Sequence, residues 1–146
     1  MAFTFTGDFV VPRKPEDVYD FLADPQRFCP LLPGFESMSL IDEKHFTVRL
    51  SVGISHIRGT AAIKMTLEEA TRPSHARYSG TGSVAGGIVD ISAGFELSAV
   101  PQGTRVAWKG TAQIFGKLTS LAGGLLEPLA KKNVQKLIDG LQAALA

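Results

Sequence analysis

The chain contains a single cysteine, Cys29, and no uninterrupted apolar run of 18 residues. One cysteine excludes an internal disulfide framework and a cysteine-based zinc site. The lack of a long apolar run argues against a membrane-spanning helix, and the first residues have neither the basic start nor the apolar stretch of a signal peptide. We therefore expect one soluble domain over residues 1–146, located in the cytoplasm.

The chain also lacks a large excess of either charge, since 15 basic and 14 acidic residues leave a net charge of +1. Proteins that bind nucleic acid usually carry a strong positive excess, so we expect no nucleic-acid partner. Residues 1–43 hold eight acids and three bases, whereas residues 44–146 hold six acids and twelve bases. This distribution is typical either of a polarised docking surface or of basic side chains scattered over the solvent faces of strands.

Recognisable catalytic and metal-binding motifs are scarce. The sequence has no nucleophile elbow, zinc-protease or phosphate-loop motif, and its histidines have no aspartate or serine partner at a motif spacing (His45, His56 and His75). Residues 80–85 fit the spacing of a dinucleotide-binding fingerprint, but strand residues follow where that fingerprint requires a helix. We therefore expect no catalytic residues, no metal and no nucleotide, and we interpret Cys29 as a buried structural thiol. Tyr78 and Asp90 remain the candidates for a polar pair if the protein is an enzyme.

The apolar pattern changes its period along the chain. Residues 3–11 alternate as a half-buried strand, Pro15 begins a short helix that ends at Asp24-Pro25, and residues 26–32 form a second helical turn. Residues 35 to about 115 alternate between frequent turns, and the spacing becomes helical from Leu118 onward. This pattern predicts an α+β fold, in which a curved antiparallel sheet of about seven strands wraps around a long C-terminal helix.

The inward positions of this sheet are apolar, and several in the later strands are small, which predicts an apolar cavity beneath the helix. These small residues are Gly80, Gly82, Ala93, Gly110 and Ala112. We expect its entrance near Phe28, Leu31, Leu32 and the Gly86-Gly87 turn, with the indole of Trp108 in its wall. A completely packed core is the alternative. The expected ligand-binding residues are Phe28, Leu31, Leu32, Val48, Leu50, Ile63, Met65, Tyr78, Val84, Ile91, Phe95, Trp108, Ile114, Leu121, Leu125 and Leu129.

Several ordered motifs resemble a known family over nearly the whole chain. They include residues 21–25 (Phe-Leu-Ala-Asp-Pro), 32–36 (Leu-Pro-Gly-Phe-Glu), 80–82 (Gly-Thr-Gly), 103–106 (Gly-Thr-Arg-Val) and 114–118 (Ile-Phe-Gly-Lys-Leu). Their order is similar to the START-like, or Bet v 1-like, helix-grip superfamily (SRPBCC), and more narrowly to the family of the carbon monoxide dehydrogenase G subunit.

The resemblance implies a helix-grip fold with an apolar cavity, no catalytic residues and no intrinsic cofactor. It further implies a bound quinone or lipid-like molecule, a carbon monoxide dehydrogenase-type molybdoenzyme as partner, and transient contact with the inner face of the membrane. Two alternatives remain open at this point. One is a small enzyme of the polyketide cyclase or hydrolase type on the same fold, and the other is a pure assembly protein with a filled core.

Overall fold

One open antiparallel sheet of seven strands forms most of the computed structural model. The structure describes residues 1–54, 57–84 and 86–146, without the side chains of residues 54, 57, 118 and 120–123. His56 and Ala85 lie outside the described residues. The strands are β1 (Ala2–Val11), β2 (Phe35–Leu40), β3 (His45–Ile54), β4 (Ile57–Thr71), β5 (His75–Val84), β6 (Gly87–Val100) and β7 (Gly103–Gly116). Their order across the sheet is β1-β7-β6-β5-β4-β3-β2, so β1 and β2 are the two edges.

Two short helices connect these edge strands, as the sequence predicts. They are α1 (Pro15–Leu22) and α2 (Pro25–Phe28), and a short 3₁₀ helix (Cys29–Leu31) follows them. A proline lies in the first turn of α1 and of α2, where its missing N–H costs nothing. Asp24 caps α2, because its side chain accepts a hydrogen bond of 3.0 Å from the backbone N–H of Gln26. Helix α1 is tied to the β4–β5 turn by two hydrogen bonds from Arg72 to Asp20, of 2.8 and 3.0 Å.

The predicted alternation places apolar side chains on one face of the sheet. The register pairs Trp108 with Phe95 and Gly110 with Ala93, so the small and large inward residues of β6 and β7 lie side by side. Buried residues form two clusters, one around Phe46 and the other around Val106. The predicted fold class, a helix-grip α+β fold, is confirmed.

The long helix α3 (Lys117–Ala144) continues through Pro128 and packs its apolar face on the sheet. The apolar spacing predicts that Leu125 lies on this face, and that prediction is wrong: Leu125 is 50% exposed, whereas Leu126 is 4% exposed. Leu125 lies nine residues, about two and a half turns, before the inward-facing Val134, and therefore on the opposite side of the helix. Within the described residues, no helix is both long and apolar enough to cross a membrane.

Candidate functional site

A cavity of about 410 Å³ lies between the inner face of the sheet and the second half of α3. The helix contributes side chains from Ala130 to Leu141, and the sheet contributes inward residues of β1, β3, β4, β5, β6 and β7. Phe28, Leu32 and Pro33 complete the wall from the segment that joins α2 to β2. Almost all of these side chains are apolar, and several are only half-buried, which fits a cavity that opens to solvent.

Ten of the sixteen expected ligand-binding residues line this cavity. They are Phe28, Leu32, Val48, Leu50, Ile63, Met65, Tyr78, Ile91, Phe95 and Trp108. The fold brings them together because they occupy the inward phase of neighbouring strands and the short helical segment beside them.

The other expected residues lie elsewhere. Val84, Ile114 and Leu129 pack into the core where β5, β7 and the first half of α3 meet. Leu31 packs into the second cluster, and Leu125 is exposed. The side chain of Leu121 lies outside the described residues. Of the expected entrance, Phe28 and Leu32 are part of the cavity wall, but the Gly86-Gly87 turn is not, because the cavity lies against the second half of the helix.

Small residues in β6 and β7 create the free space. A methyl group added at Gly110 would meet no atom within 4 Å, and Ala93 and Ala112 flank it in the cavity wall. The expectation that Gly80 and Gly82 also leave space is wrong. The side chain of Met65 occupies the space above Gly80, and the backbone of Ala62 in β4 approaches Gly82 closely.

Trp108 forms part of the cavity wall, and the residue opposite it in β1 explains its position. Gly7 pairs with Trp108 across the two strands, and a Cβ at Gly7 would lie 2.7 Å from the indole Cζ2. The indole therefore lies against a strand position that only glycine allows. Trp108 is half-buried and lines the cavity, where a bound molecule would contact it.

Three aromatic rings close one end of the cavity. Phe28, Phe46 and Tyr78 have ring centroids 5.4 to 6.2 Å apart and pack with tilted or edge-to-face geometry. The hydroxyl of Tyr78 donates a hydrogen bond of 2.9 Å to the carbonyl oxygen of Leu22. Burial raises the pKa of Tyr78 well above its usual value, so the hydroxyl stays neutral and serves the packing of α1.

The other candidates for chemistry lie outside the cavity. Asp90 is exposed on the outer face of the sheet, where it accepts a hydrogen bond of 2.7 Å from Thr81. Tyr78 and Asp90 therefore do not form a polar pair. Cys29 is fully buried, and desolvation raises the pKa of its thiol to about 12, as expected of a structural thiol. Within the described residues, no group of histidines, cysteines and carboxylates could hold a metal ion.

The described histidines lie at turns. His45 has an acidic partner that motif spacing does not reveal, since its Nδ1 lies 2.8 Å from Oδ1 of Asp42. The backbone N–H of Lys44 and this imidazole together lower the pKa of Asp42. This exposed pair stabilises the turn before β3. Asp42 also borders a surface depression of about 190 Å³, which shares Phe46 and Tyr78 with the cavity wall.

Several residues that line the cavity are not among the expected ligand-binding residues. Three of them, Phe5, Phe9 and Phe46, lie on the predicted inward phase of their strands. Another, Asn133, is a polar residue on the apolar face of α3. Its spacing of three to four residues from Ala130 and Leu137 is the signal that could have identified it.

Comparisons with known proteins support the fold. A model of the CoxG family, described as the G subunit of carbon monoxide dehydrogenase, matches residues 7–146. No curated protein sequence gives a significant match. A crystal structure of a conserved protein from Geobacillus kaustophilus superposes with a TM-score of 0.85 at 20% identity, over 98% of this chain and 95% of that one.

Two further solved structures share the fold at lower similarity. A protein from Thermus thermophilus has a TM-score of 0.67 at 17% identity, over 97% of this chain and 96% of that one. The di-domain ARO/CYC protein BexL from the BE-7585A biosynthetic pathway has a TM-score of 0.65 at 13% identity, over 99% of this chain and 50% of that one. At these identities, the likeness concerns the fold alone.

Proposed function

The chain belongs to the CoxG family of carbon monoxide dehydrogenase, and on that premise we propose that it is a non-enzymatic accessory protein that carries a quinone or lipid-like molecule. The partner it would serve is a carbon monoxide dehydrogenase-type molybdoenzyme. The observation that carries the proposal is the cavity of about 410 Å³, whose lining is almost entirely apolar. An apolar lining suits a hydrophobic molecule, whereas catalysis would also need a positioned acid or base beside it.

Trp108 provides a direct test, because quinones accept electrons from excited indole and quench its emission. Titration of the protein with a short-chain menaquinone or ubiquinone should quench the fluorescence of Trp108, the only tryptophan, in a saturable manner. The Gly110→Leu variant is the matched control, because its new side chain would occupy the free space in the cavity. Quenching that is linear in quinone and equal in both proteins would contradict quinone binding at this site.

Contact with a membrane surface is part of the proposal, because quinones and lipids reside there. Ile88 and Phe115 form an outward-facing cross-strand pair that is 54% and 47% exposed, near the start of α3. Liposome flotation should show weak binding that decreases in an Ile88→Ser, Phe115→Ser double variant. Ile41→Ser is the control, since Ile41 is 62% exposed near the opposite end of the strands. Equal flotation of all three proteins would remove this contact from the proposal.

A polyketide cyclase is the second candidate, favoured by the structural likeness to BexL and to StfQ, the di-domain ARO/CYC protein from the steffimycin pathway. Such chemistry needs a positioned acid or base beside the substrate. The Tyr78 hydroxyl is used by the Leu22 carbonyl, and Asp90 lies on the outer face, which argues for the carrier. Turnover of a polyketide analogue that is lost in Tyr78→Phe would favour the enzyme. The remaining alternative, a pure assembly protein with a filled core, would need no cavity.

A further inference from the structure

The polar groups that border the cavity are nearly all engaged. Strands β6 and β7 are each paired on both sides, so their backbone N–H and C=O groups form ladder hydrogen bonds. Three other polar residues of the lining belong to these two strands, namely Ser92, Lys109 and Thr111. Each precedes a residue that faces inward (Ala93, Gly110 or Ala112), so their own positions are on the outward phase of the strand. The hydroxyl of Tyr78 donates its hydrogen bond to the carbonyl oxygen of Leu22. One polar side chain of the lining, that of Asn133, is left.

Asn133 lies in the middle of the apolar face of α3. The cavity-lining residues Ala130, Val134 and Leu137 surround it on this face, and its side chain is half-buried. The side-chain hydrogen bonds of α3 within the described residues are those of Thr119 with Gly116 and of Gln135 with Asp139, so none engages the Asn133 amide. Asparagine is also a poorer helix former than leucine, so helix formation does not explain this residue.

We propose that Asn133 binds the polar group of the carried molecule and that it accommodates both the oxidised and the reduced form of a quinone. A side-chain amide has two N–H donors and a carbonyl acceptor. Its N–H can donate to the carbonyl oxygen of a quinone, and its Oδ1 can accept from the hydroxyl of the quinol. This inference rests on the proposed function and extends it, because a carrier of electrons must bind its cargo in both forms.

The test compares three probes that share one ring skeleton. They are 2-methyl-1,4-naphthoquinone, its quinol under anaerobic conditions, and 2-methylnaphthalene, which has no oxygen. Isothermal titration calorimetry should give the wild-type protein similar affinities for the quinone and the quinol. In Asn133→Leu, both affinities should fall about three- to tenfold, while that for 2-methylnaphthalene stays the same or rises. Gln135→Leu, on the same helix outside the cavity lining, is the control and should change none of them.

A second variant separates hydrogen bonding from packing. At about pH 8, the ionised carboxylate of Asn133→Asp accepts hydrogen bonds but does not donate them. This variant should therefore favour the quinol over the quinone by about tenfold, whereas Asn133→Gln should keep both affinities. If Asn133→Leu and Asn133→Asp both bind the quinone and quinol as the wild type does, the role of Asn133 is refuted and cavity binding stands. If the wild type binds none of the probes, the proposed function itself fails.

Discussion

At the scale of single residues, one of the motifs that carry the family resemblance has contacts that fix two strands together. In the Gly-Thr-Arg-Val motif of residues 103–106, Gly103 has φ +140° and lies against the backbone of Val11. Thr104 is fully buried, and its hydroxyl donates a hydrogen bond of 2.6 Å to the carbonyl oxygen of Arg13. Arg105 pairs with Asp8, with its Nε 2.8 Å from Oδ2. The motif therefore fixes the end of β1 against the start of β7, which is a structural role.

Cys29 offers a residue-scale prediction. Its thiol is fully buried, and desolvation raises its pKa to about 12, whereas the thiolate is the form that reacts with alkylating reagents. Iodoacetamide should therefore label the native protein at least about a hundredfold more slowly than the chain unfolded in urea. Mass spectrometry at matched times measures both rates. Similar rates would show that Cys29 is accessible in the native state.

Part of the candidate site could be predicted from residue types, and part could not. Alternation assigns Phe95 and Trp108 to the inner face, because an unbroken strand fixes the direction of every second side chain. The role of Asn133 could not be predicted in this way, because the sequence does not show that the apolar helix face on which it lies borders a cavity. Gly80 and Gly110 both occupy predicted inward positions. The structure distinguishes them, because the side chain of Met65 fills the space above Gly80, whereas the space above Gly110 is free.

At the scale of elements, the inward face of the strands could be predicted more accurately than the face of α3 that packs on the sheet. The first half of the helix is apolar on two sides, since leucines occupy both 125 and 126 and alanines or leucines lie near each. Spacing alone cannot then select the buried face. Contacts with the sheet select it, and Leu126 becomes the buried leucine.

The two adjacent leucines give an element-scale prediction. Leu126→Ala should lower the free energy of unfolding by about 2–4 kcal/mol, because Leu126 is 4% exposed in the core. Leu125→Ala should change it by less than about 0.5 kcal/mol, because Leu125 is 50% exposed. Urea denaturation followed by circular dichroism measures both values. A larger loss for Leu125→Ala would mean that the helix packs with its other face on the sheet.

At the scale of the whole molecule, a cavity is the difference between the space that the curved sheet encloses and the side chains that fill it. Large side chains close the end where the Phe46 and Tyr78 rings meet. Small residues at 93, 110 and 112 leave space beneath the second half of α3. Protein interiors are otherwise closely packed, so free space of this size lowers the stability of the empty protein, and a molecule that binds there offsets this loss. The small residues of β6 and β7 therefore favour a bound molecule.

Two glycines of the inner face allow a prediction about this free space. In Gly110→Leu, the new side chain would enter the cavity, so the free energy of unfolding should stay within about 1 kcal/mol of the wild type or rise. In Gly80→Leu, it would collide with the side chain of Met65 and the backbone of β4, and the free energy of unfolding should fall by about 1–3 kcal/mol. Urea denaturation measures both changes, and Ala93→Phe should behave like Gly110→Leu, since Ala93 also lines the cavity. A loss in Gly110→Leu as large as that in Gly80→Leu would mean that the space above Gly110 is filled in solution, which would contradict the carrier.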